Sequence, residues 1–282
     1  MQKEALMNTQ AIHSKNGKTY WVEVGDTLYA QRLQSGQYQR TNWDFAQTII
    51  PEFRRCIDIG SNNACNAIHY AERFDIVECF EPTPLAIELW KNTVRDNSVV
   101  NTNLYETALG ERATQTQIIT HARNGGHNHL SHYDKNPRAD IKNLNRATVD
   151  VEVRTLDSYN FADVDFIKID VEGYEYFVLQ GALMTLKQNR PILQLEIVAN
   201  QCRKFNYRAE ELIEWLRDMD YRVCSKRDGW LDGEFTSSCR TDDTKGIHHN
   251  GVKRKGDMDL FFVPLEKQTE LKPTLELFEW GV

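Results

Sequence analysis

Short apolar runs alternate with longer segments of helical periodicity over most of this chain. The runs predict strands at residues 56–59, 76–80, 101–106, 164–169, 192–197, 221–225 and 260–263. Apolar positions that recur once per helical turn predict helices at residues 43–50, 62–73, 84–97, 174–188 and 208–219. Short β-branched and aromatic strands that alternate with helices are typical of a mostly parallel, doubly wound α/β sheet.

The start of the chain does not follow this alternation. Residues 18–33 alternate polar and apolar side chains as a half-buried strand does, with the apolar positions at Tyr20, Val22, Val24, Leu28 and Tyr29. We therefore expect an N-terminal extension of strand and helix at 1–50. Three roles are open for it: to cover the edge of the sheet, to hold a substrate, or to contact a second copy of the chain in a homodimer.

Two later segments interrupt the main pattern. Strand-like runs at 116–120 and 148–155 predict a β insertion after the third strand, at about 111–155. A polar, glycine-rich insertion covers about 226–257 and ends in the basic run at 253–255. The expected division is an extension at 1–50, a main domain at 51–265 and a C-terminal tail at 266–282.

Composition narrows the class of protein. Hydrophobic residues make up 40% and charged residues 27% of the 282 positions, as in an ordinary globular protein. The opening MQKEALMNTQ lacks the apolar core of a signal peptide, and no apolar run is long enough to span a bilayer, so a cytoplasmic protein without a membrane partner is expected. The six cysteines are scattered, and the net charge of −7 disfavours a nucleic-acid partner.

The strongest chemical signal is the turn after the first strand of the alternating region. Gly60 permits a tight turn and a close approach of the backbone to a ligand, and Asp58 can accept hydrogen bonds or neutralise a nearby cation. Glu81 ends the next strand, about 20 residues beyond Gly60, where an acidic side chain can bind ribose hydroxyls. Because dinucleotide sites carry G-x-G-x-x-G, this single-glycine turn favours a nucleoside without a pyrophosphate.

Six segments in order resemble the FkbM-type methyltransferase family. They are IDIGSNN, CFEPTPLAIELWKNTV, ETALGE, VRTLDSY, DFIKIDVEGYEYFVLQGA and PILQLEI, and they run from Cys56 to Ile197. IKIDVEGYE, followed by a helix and Gly-Ala, is typical of that family more than of methyltransferases at large. The resemblance implies a seven-stranded, Rossmann-like class I fold, S-adenosylmethionine as methyl donor with S-adenosylhomocysteine as product, and O-methylation of small molecules or sugar hydroxyls.

The resemblance also implies roles for single residues. Those assigned to the methyl donor follow the first three strands: Asp58, Gly60, Ser61, Asn62, Glu81, Pro82, Glu106, Thr107 and Ala108. Within this set, Asp58 and Gly60 would line the methionine part, Glu81 would hold the ribose, and the later residues would bound the adenine. Asp170, Glu172 and Gly173 follow the fourth strand and would face the methyl group and the acceptor, with Asp170 also at the donor.

One feature departs from the family pattern. The second glycine of the first turn, expected near position 64 or 65, is replaced by Ala64 and Cys65. A larger side chain there would crowd the turn and weaken the binding of the cofactor.

An alcohol is a poor nucleophile until it loses its proton, so a general base or a metal must assist the transfer. Asp170, Lys168 and Glu172 are the predicted catalytic residues, and Glu196 is a predicted substrate contact at the end of the next strand. Lys168 shares one strand face with Asp170 and could instead form a salt bridge to a carboxylate. Glu175 is a weaker candidate, because it would face solvent or cap the following helix.

The β insertion at about 111–155 contains three histidines within a short glycine-flanked loop. His127, His129 and His132 could in principle ligate a transition metal, but no cysteine or carboxylate accompanies them closely. We therefore expect no metal and predict contacts to a small-molecule or carbohydrate substrate.

Other functions remain as alternatives. An RNA ribose or cap O-methyltransferase and a non-catalytic nucleoside-binding domain both fit the fold. Amine methylation of nucleic acids would need an Asn/Asp-Pro-Pro-aromatic motif, and cytosine C5 methylation a Pro-Cys dipeptide, and neither stands in the sequence. The missing G-x-G-x-x-G disfavours a nicotinamide-dependent oxidoreductase.

Overall fold

The computed structural model describes residues 8–121, 129–130, 146–226, 229–233, 235–237, 247–249, 252–254 and 259–268. The helices are α1 (Thr27–Ser35), α2 (Arg40–Ile49), α3 (Ala67–Tyr70), α4 (Pro84–Asp96), α5 (Glu175–Gln180), α6 (Leu183–Asn189), α7 (Ala199–Lys204) and α8 (Ala209–Arg217). A 3₁₀ turn spans Leu156–Tyr159.

The strands fall into four sheets. In the first half of the chain they are β1 (Thr9–His13), β2 (Thr19–Glu23), β3 (Arg55–Ile59), β4 (Ile76–Phe80), β5 (Thr102–Tyr105), β6 (Ala108–Leu109), β7 (Thr114–His121) and β8 (His129–Leu130). In the second half they are β9 (Arg146–Arg154), β10 (Val164–Ile169), β11 (Ile192–Glu196), β12 (Tyr221–Ser225), β13 (Gly229–Trp230), β14 (Phe235–Ser237), β15 (Ile247–His249), β16 (Val252–Arg254) and β17 (Asp259–Pro264).

The central sheet has the strand order β13-β12-β17-β11-β10-β3-β4-β5. Strands β11, β10, β3, β4 and β5 run parallel, and β17, β12 and β13 add antiparallel pairings at one side. The predicted α/β architecture with a mostly parallel sheet is confirmed. The short β13 extends the seven predicted strands by an eighth at the edge.

Alternating side chains of the central strands bury two separate cores. Ile57 and Ile167 belong to the core on one face of the sheet, and Cys56 and Phe166 to the core on the other. We call the second of these the Cys56 face. Lys168 projects from this face, because it lies two residues beyond Phe166 on the same strand.

Residues 8–50, the N-terminal unit, pack against the Cys56 face. The rings of Trp43 and Tyr70 meet edge to face with 4.9 Å between their centroids, and those of Phe45 and Phe261 do the same at 4.9 Å. Such pairs stabilise a core by about 0.5–1.5 kcal/mol beyond the area they bury. Among the three roles left open for the extension, the described contacts therefore support covering the sheet, over a face rather than an edge.

The predicted strand at 18–33 is wrong in its second half. Strand β2 ends at Glu23, and Gly25, with a φ of +97°, turns the chain. Helix α1 follows, so Leu28 and Tyr29 are helical. The reason is a local N-cap, because an Asp26 carboxylate oxygen accepts the backbone N–H of Tyr29 and starts the helix.

Two predicted helices are also interrupted. Asn62 and Ala64 have φ values of +48° and +66°, which a right-handed helix does not allow, so the helix expected at 62–73 shrinks to α3. The helix expected at 174–188 divides into α5 and α6 around Gly181, where an added Cβ would stand 2.0 Å from a backbone oxygen of Gly110. Strand β1 and helix α7 have no counterpart among the predicted elements.

The predicted β insertion forms a sheet of its own. Strands β6, β9, β7 and β8 make a four-stranded sheet in that order, with β7 and β9 antiparallel over their full described length. Within the polar segment at 226–257, backbone pairing joins β14, β15 and β16. Among the helices that the structure describes, none has both the length and the apolarity to cross a bilayer.

A buried hydrogen bond fastens the N-terminal unit to α3, and its loss should destabilise the fold. The Tyr20 hydroxyl lies 3.0 Å from His69 Nε2 and accepts a hydrogen bond from Asn16 at 3.1 Å. Tyr20→Phe should lower the free energy of unfolding by about 1–3 kcal/mol, because it leaves a buried imidazole nitrogen without a partner. Chemical denaturation would measure this change.

Tyr221→Phe is the matched control for this substitution. Tyr221 is 2% exposed, and its hydroxyl makes no hydrogen bond among the described residues. Its removal should change stability little, so an equal loss in both variants would contradict the role assigned to the Tyr20 hydroxyl.

Candidate active site

The carboxyl ends of the parallel strands bring the predicted site residues to one edge of the sheet. Strands β3, β4, β10 and β11 end at or just before Gly60, Glu81, Asp170 and Glu196, respectively. Neighbouring strands of an open α/β sheet leave a ligand-binding crevice at this edge. All four residues therefore lie at the edge of the sheet where the sequence predicts the ligand-binding site.

The segment at 60–66, the first turn, folds back over the end of β4. The backbone N–H groups of Gly60 and Ser61 both donate to the Phe80 carbonyl, at 3.0 and 3.1 Å. Gly60 has a φ of +78°, and a Cβ added there would stand 2.0 Å from the backbone oxygen of Asp170. Glycine is required at this position both for the left-handed backbone and for the close approach of the two strand ends.

Glu81 is buried beneath the first turn and binds it directly. One carboxylate oxygen accepts the N–H and the hydroxyl of Thr83, at 2.9 and 2.6 Å, and the other accepts the N–H of Asn62 at 3.1 Å. Burial raises the pKa of Glu81, and the hydrogen bonds from Thr83 and Asn62 oppose that rise. A carboxylate offers about four acceptor positions, so the oxygen bound to Asn62 can accept one more hydrogen bond.

The backbone conformation of the first turn accommodates Ala64 at the position where a glycine was expected. Ala64 is fully buried and adopts the left-handed φ of +66° that glycine would favour at this point. Its neighbour Asn63 anchors the turn to the N-terminal unit, because it accepts the Tyr29 hydroxyl at 2.8 Å and donates to the Trp21 carbonyl at 3.0 Å. The turn is therefore held in the strained conformation from outside the sheet.

Lys168 joins the first turn to the end of β10. Its ammonium is 3% exposed and lies 3.5 Å from Asp58, its neighbour in register on β3, and 3.3 Å from Asp170. Burial lowers the pKa of Lys168, but the charges of Asp170 and Asp58 more than offset it, so the pKa lies above the ordinary lysine value. Asp58 thus neutralises a cation, one of the two roles expected for it.

Asp58 is completely buried, and its two oxygens differ. One accepts the Ser61 hydroxyl at 2.8 Å, and the same hydroxyl accepts the Trp90 indole N–H at 3.0 Å. The other faces Lys168 and accepts no hydrogen bond among the described residues. Asp58 therefore acts on the site by its charge and through the first turn.

Residues 170–173, the acidic loop, carry two of the predicted catalytic carboxylates. The Asp170 N–H donates to the Ile59 carbonyl at 3.1 Å, and the Asp170 side chain is 27% exposed. Glu172 has a φ of +58° and accepts a hydrogen bond from the Gln201 amide. Both side chains thus stand at the edge of the crevice, beside the first turn.

Glu175 does not face solvent. It is 1% exposed, and one carboxylate oxygen accepts the N–H groups of Val171 and Gly173 at 3.0 and 3.1 Å. Burial raises the pKa of Glu175 to about 7, while hydrogen bonds from its own N–H and from those of Gly173 and Val171 oppose the rise. The expectation of a solvent-facing side chain is therefore wrong, because the carboxylate lies under the acidic loop.

Glu196 completes a cluster of three carboxylates with Asp170 and Glu172. The charge of Asp170 is the main cause that raises the pKa of Glu196, followed by burial and the charge of Glu172. One carboxylate oxygen from each residue lies within 4.8 Å of the others, a spacing that could hold a cation. Acidic surface groups often gather without an ion, so the spacing alone assigns no metal.

Two residues near this cluster had no signal in the sequence. Asp259 lies opposite Glu196 in the sheet and accepts hydrogen bonds from Gln194 at 3.0 Å and Asn42 at 2.6 Å. Asn42 belongs to α2, so the N-terminal unit reaches the carboxyl end of the sheet. The pairing of β11 with β17 brings Asp259 beside Glu196, and the packing of Phe45 on Phe261 brings α2 to the same strand.

The residues predicted to surround the adenine differ in their exposure to solvent. Pro82 is half-buried, and Glu106 is exposed and paired with Lys91. Thr107 is buried and donates to the Glu152 carbonyl at 2.9 Å, and Ala108 lies in the core. Their contact with a ligand stays a prediction.

The predicted histidine contacts cannot be placed in the same way. His127 and His132 lie outside the described residues, and His129 is described only by its backbone pairing with Ile119. Their role stays a prediction.

Gly60→Ala should destabilise the protein by more than the left-handed backbone at this position accounts for. The added methyl group must push the acidic loop away, since the Asp170 oxygen would lie 2.0 Å from it. Gly17 is the matched control, with a φ of +81° and open space around its Cβ position. Thermal denaturation should show a loss of about 1–2 kcal/mol for Gly17→Ala and a clearly larger one for Gly60→Ala. Equal losses would mean that the loops are not packed together at Gly60.

Comparison with known proteins identifies the family. The sequence profile described as the Methyltransferase FkbM domain matches residues 58–223, more than half of the chain. No curated protein sequence matches the chain.

Solved structures of methyltransferases share parts of the chain path. The methyltransferase FkbM from Methylobacillus flagellatus KT is 16% identical, with a TM-score of 0.44, over 74% of this chain and 43% of that one. An rRNA methylase from Streptococcus thermophilus is 10% identical, with a TM-score of 0.42, over 79% of this chain and 94% of that one. A tRNA m1G37 methyltransferase from M. jannaschii is 11% identical, with a TM-score of 0.43, over 91% and 55%.

This chain thus spans less than half of the M. flagellatus protein. The acceptors named for these proteins belong to those proteins. The profile match, by contrast, begins at Asp58 and includes the first turn, Glu81, the acidic loop and Glu196. The chain therefore belongs to the FkbM family of S-adenosylmethionine-dependent methyltransferases, as its sequence segments predicted.

Proposed function

We propose that this protein transfers the methyl group of S-adenosylmethionine to a hydroxyl oxygen of a small molecule or a sugar. The observation that carries the proposal is the position of Asp170. Its partly exposed carboxylate stands at the end of β10, next to the first turn on one side and to Glu172 and Glu196 on the other. A hydroxyl placed there would have a proton acceptor beside the donor site.

The residues around the first turn fit the methyl donor. Gly60 lets the first turn pack against the backbone of Asp170, and Glu81 keeps one acceptor position for a ribose hydroxyl. Asp58 and Asp170 bring two carboxylates to the single ammonium of Lys168, beside a site for a cationic cofactor. We assign the methionine part to the first turn and the ribose to Glu81.

The bound cofactor supplies an activated methyl group on a sulfonium sulfur. The protein's task is then to align the acceptor oxygen with that carbon and to remove the hydroxyl proton. Asp170 takes the proton as the new oxygen–carbon bond forms and the carbon–sulfur bond breaks. Lys168 acts through Asp170, because its ammonium lies 3.3 Å from that carboxylate and holds it at the end of β10. Glu172 is assigned to the acceptor side.

The acceptor itself is assigned to the segments around the crevice. We further propose that the chain divides into an extension at 1–50, a main domain at 51–265 and a tail at 266–282. His127, His129 and His132 are proposed to contact the acceptor. The proposed location of the protein is the cytoplasm.

Loss of the Glu81 carboxylate should remove cofactor binding. Titration calorimetry with S-adenosylhomocysteine should show affinity weakened about tenfold or more in Glu81→Ala, because the variant loses the ribose partner and one anchor of the first turn. Glu214→Gln, an exposed glutamate on α8, should bind like the wild type. A wild-type protein that is folded yet does not bind would refute the proposed donor site.

Asp170→Asn should separate binding from transfer. The amide keeps the size of the side chain but cannot take a proton, so methyl transfer should fall about 100-fold or more, while S-adenosylhomocysteine binding falls far less because Glu81 and the first turn remain. The assay follows labelled methyl groups onto a panel of sugars, polyketide alcohols and RNA. Asp163→Asn, at an exposed aspartate, is the control. Full activity in Asp170→Asn would exclude it as the base, and transfer to RNA alone would replace the proposed acceptor class.

A further inference from the structure

The acidic loop has a backbone that its own sequence does not favour. Glu172 adopts a φ of +58° and Gly173 a φ of +102°. A non-glycine residue in the left-handed region costs about 1 kcal/mol or more, so surrounding groups must hold the loop in this shape. Asp170 and Glu172 point into the crevice only while that shape persists.

One buried side chain lies inside the loop and bonds to it twice. A single oxygen of Glu175 accepts the N–H of Val171 at 3.0 Å and the N–H of Gly173 at 3.1 Å. Both N–H groups belong to residues that precede helix α5, in which Glu175 is the first residue. Glu175 therefore binds the backbone of the acidic loop directly.

Tyr207 and Gln201 hold the same loop from the other side. The Tyr207 hydroxyl donates to the Gly173 carbonyl at 2.9 Å and lies 3.4 Å from the second Glu175 oxygen. Gly173 packs so closely on Gln201 that an added Cβ would stand 2.6 Å from its carbonyl. The amide of Gln201 bonds Glu172. The N–H groups of Val171 and Gly173 and the Gly173 carbonyl are thus bound by side chains. The Gly173 backbone also packs against the backbone of Gln201.

We infer that Glu175 is a positioning residue, which shapes the acidic loop so that Asp170 and Glu172 meet Glu196 at the acceptor side of the crevice. The role of this carboxylate cluster at the acceptor side rests on the proposed function, whereas the contacts that shape the loop do not depend on it. Glu175 is buried under the loop and touches neither the crevice nor the first turn in any described contact. It acts through the two carboxylates that it places.

The test reads the carboxylate cluster directly, without an acceptor. Glutamate labelled at its carboxyl carbon reports each titration by NMR, and Glu196→Gln assigns the Glu196 signal by its absence. In the wild type, Glu196 should titrate far above an ordinary glutamate because Asp170 lies beside it. In Glu175→Ala the loop should relax, and the pKa of Glu196 should fall toward the ordinary value.

Glu175→Gln is the matched variant that should restore the wild-type titration. Its amide oxygen can accept both backbone N–H groups, and its NH₂ group can donate to the Tyr207 hydroxyl. Tyr207→Phe removes the hydroxyl that holds Gly173 and contacts Glu175, and should shift the Glu196 titration in the same direction as Glu175→Ala. It provides the test if Glu175→Ala does not fold.

Binding of S-adenosylhomocysteine, measured in the same variants, separates this inference from the proposed function. Affinity should change by less than about threefold in all of them, because the first turn is anchored elsewhere. A wild type that fails to bind removes the proposed function and leaves the titration test intact. If Glu175→Ala and Tyr207→Phe both fold and Glu196 titrates as in the wild type, Glu175 does not position the loop.

Discussion

The buried ammonium group of Lys168 is the interaction on which both halves of the site depend. It lies between Asp58, which is completely buried under the first turn, and Asp170, which opens onto the crevice. Removing one partner of a buried ion pair costs about 3–5 kcal/mol, because the remaining charge has no compensation. Strands β3 and β10 pair in register at these residues, so the sheet itself sets the distance between the donor side and the acceptor side.

The same structural device shapes both sides of the crevice. Glu81 accepts backbone N–H groups from Asn62 and Thr83, and Glu175 accepts those of Val171 and Gly173. In each case a buried carboxylate stabilises a loop that contains left-handed, non-glycine residues. Strained backbone at a functional site needs such support, because nothing in the local sequence would otherwise maintain it. Burial raises the pKa of both carboxyls.

The sequence predicted the features that depend on neighbours along the chain. Short apolar runs ending in a polar residue placed Asp58, Glu81, Asp170 and Glu196 at strand ends, and parallel pairing then brought them together. Features that depend on distant contacts were missed. The turn at Ala64 is left-handed because Asn63 is bound by the N-terminal unit, and no periodicity within 62–73 records that. Glu175 is likewise covered by Tyr207, which lies 32 residues further along the chain.

The anchoring of Asn63 makes the N-terminal unit a support of the first turn, and so of the proposed donor site, rather than a separable cover. The Tyr29 hydroxyl and the Trp21 carbonyl hold this one side chain from a helix and a strand that come before the main domain. Exchanging the extension for another segment would leave the turn without this support, so the left-handed backbone at Ala64 and the contacts of the extension form one structural unit.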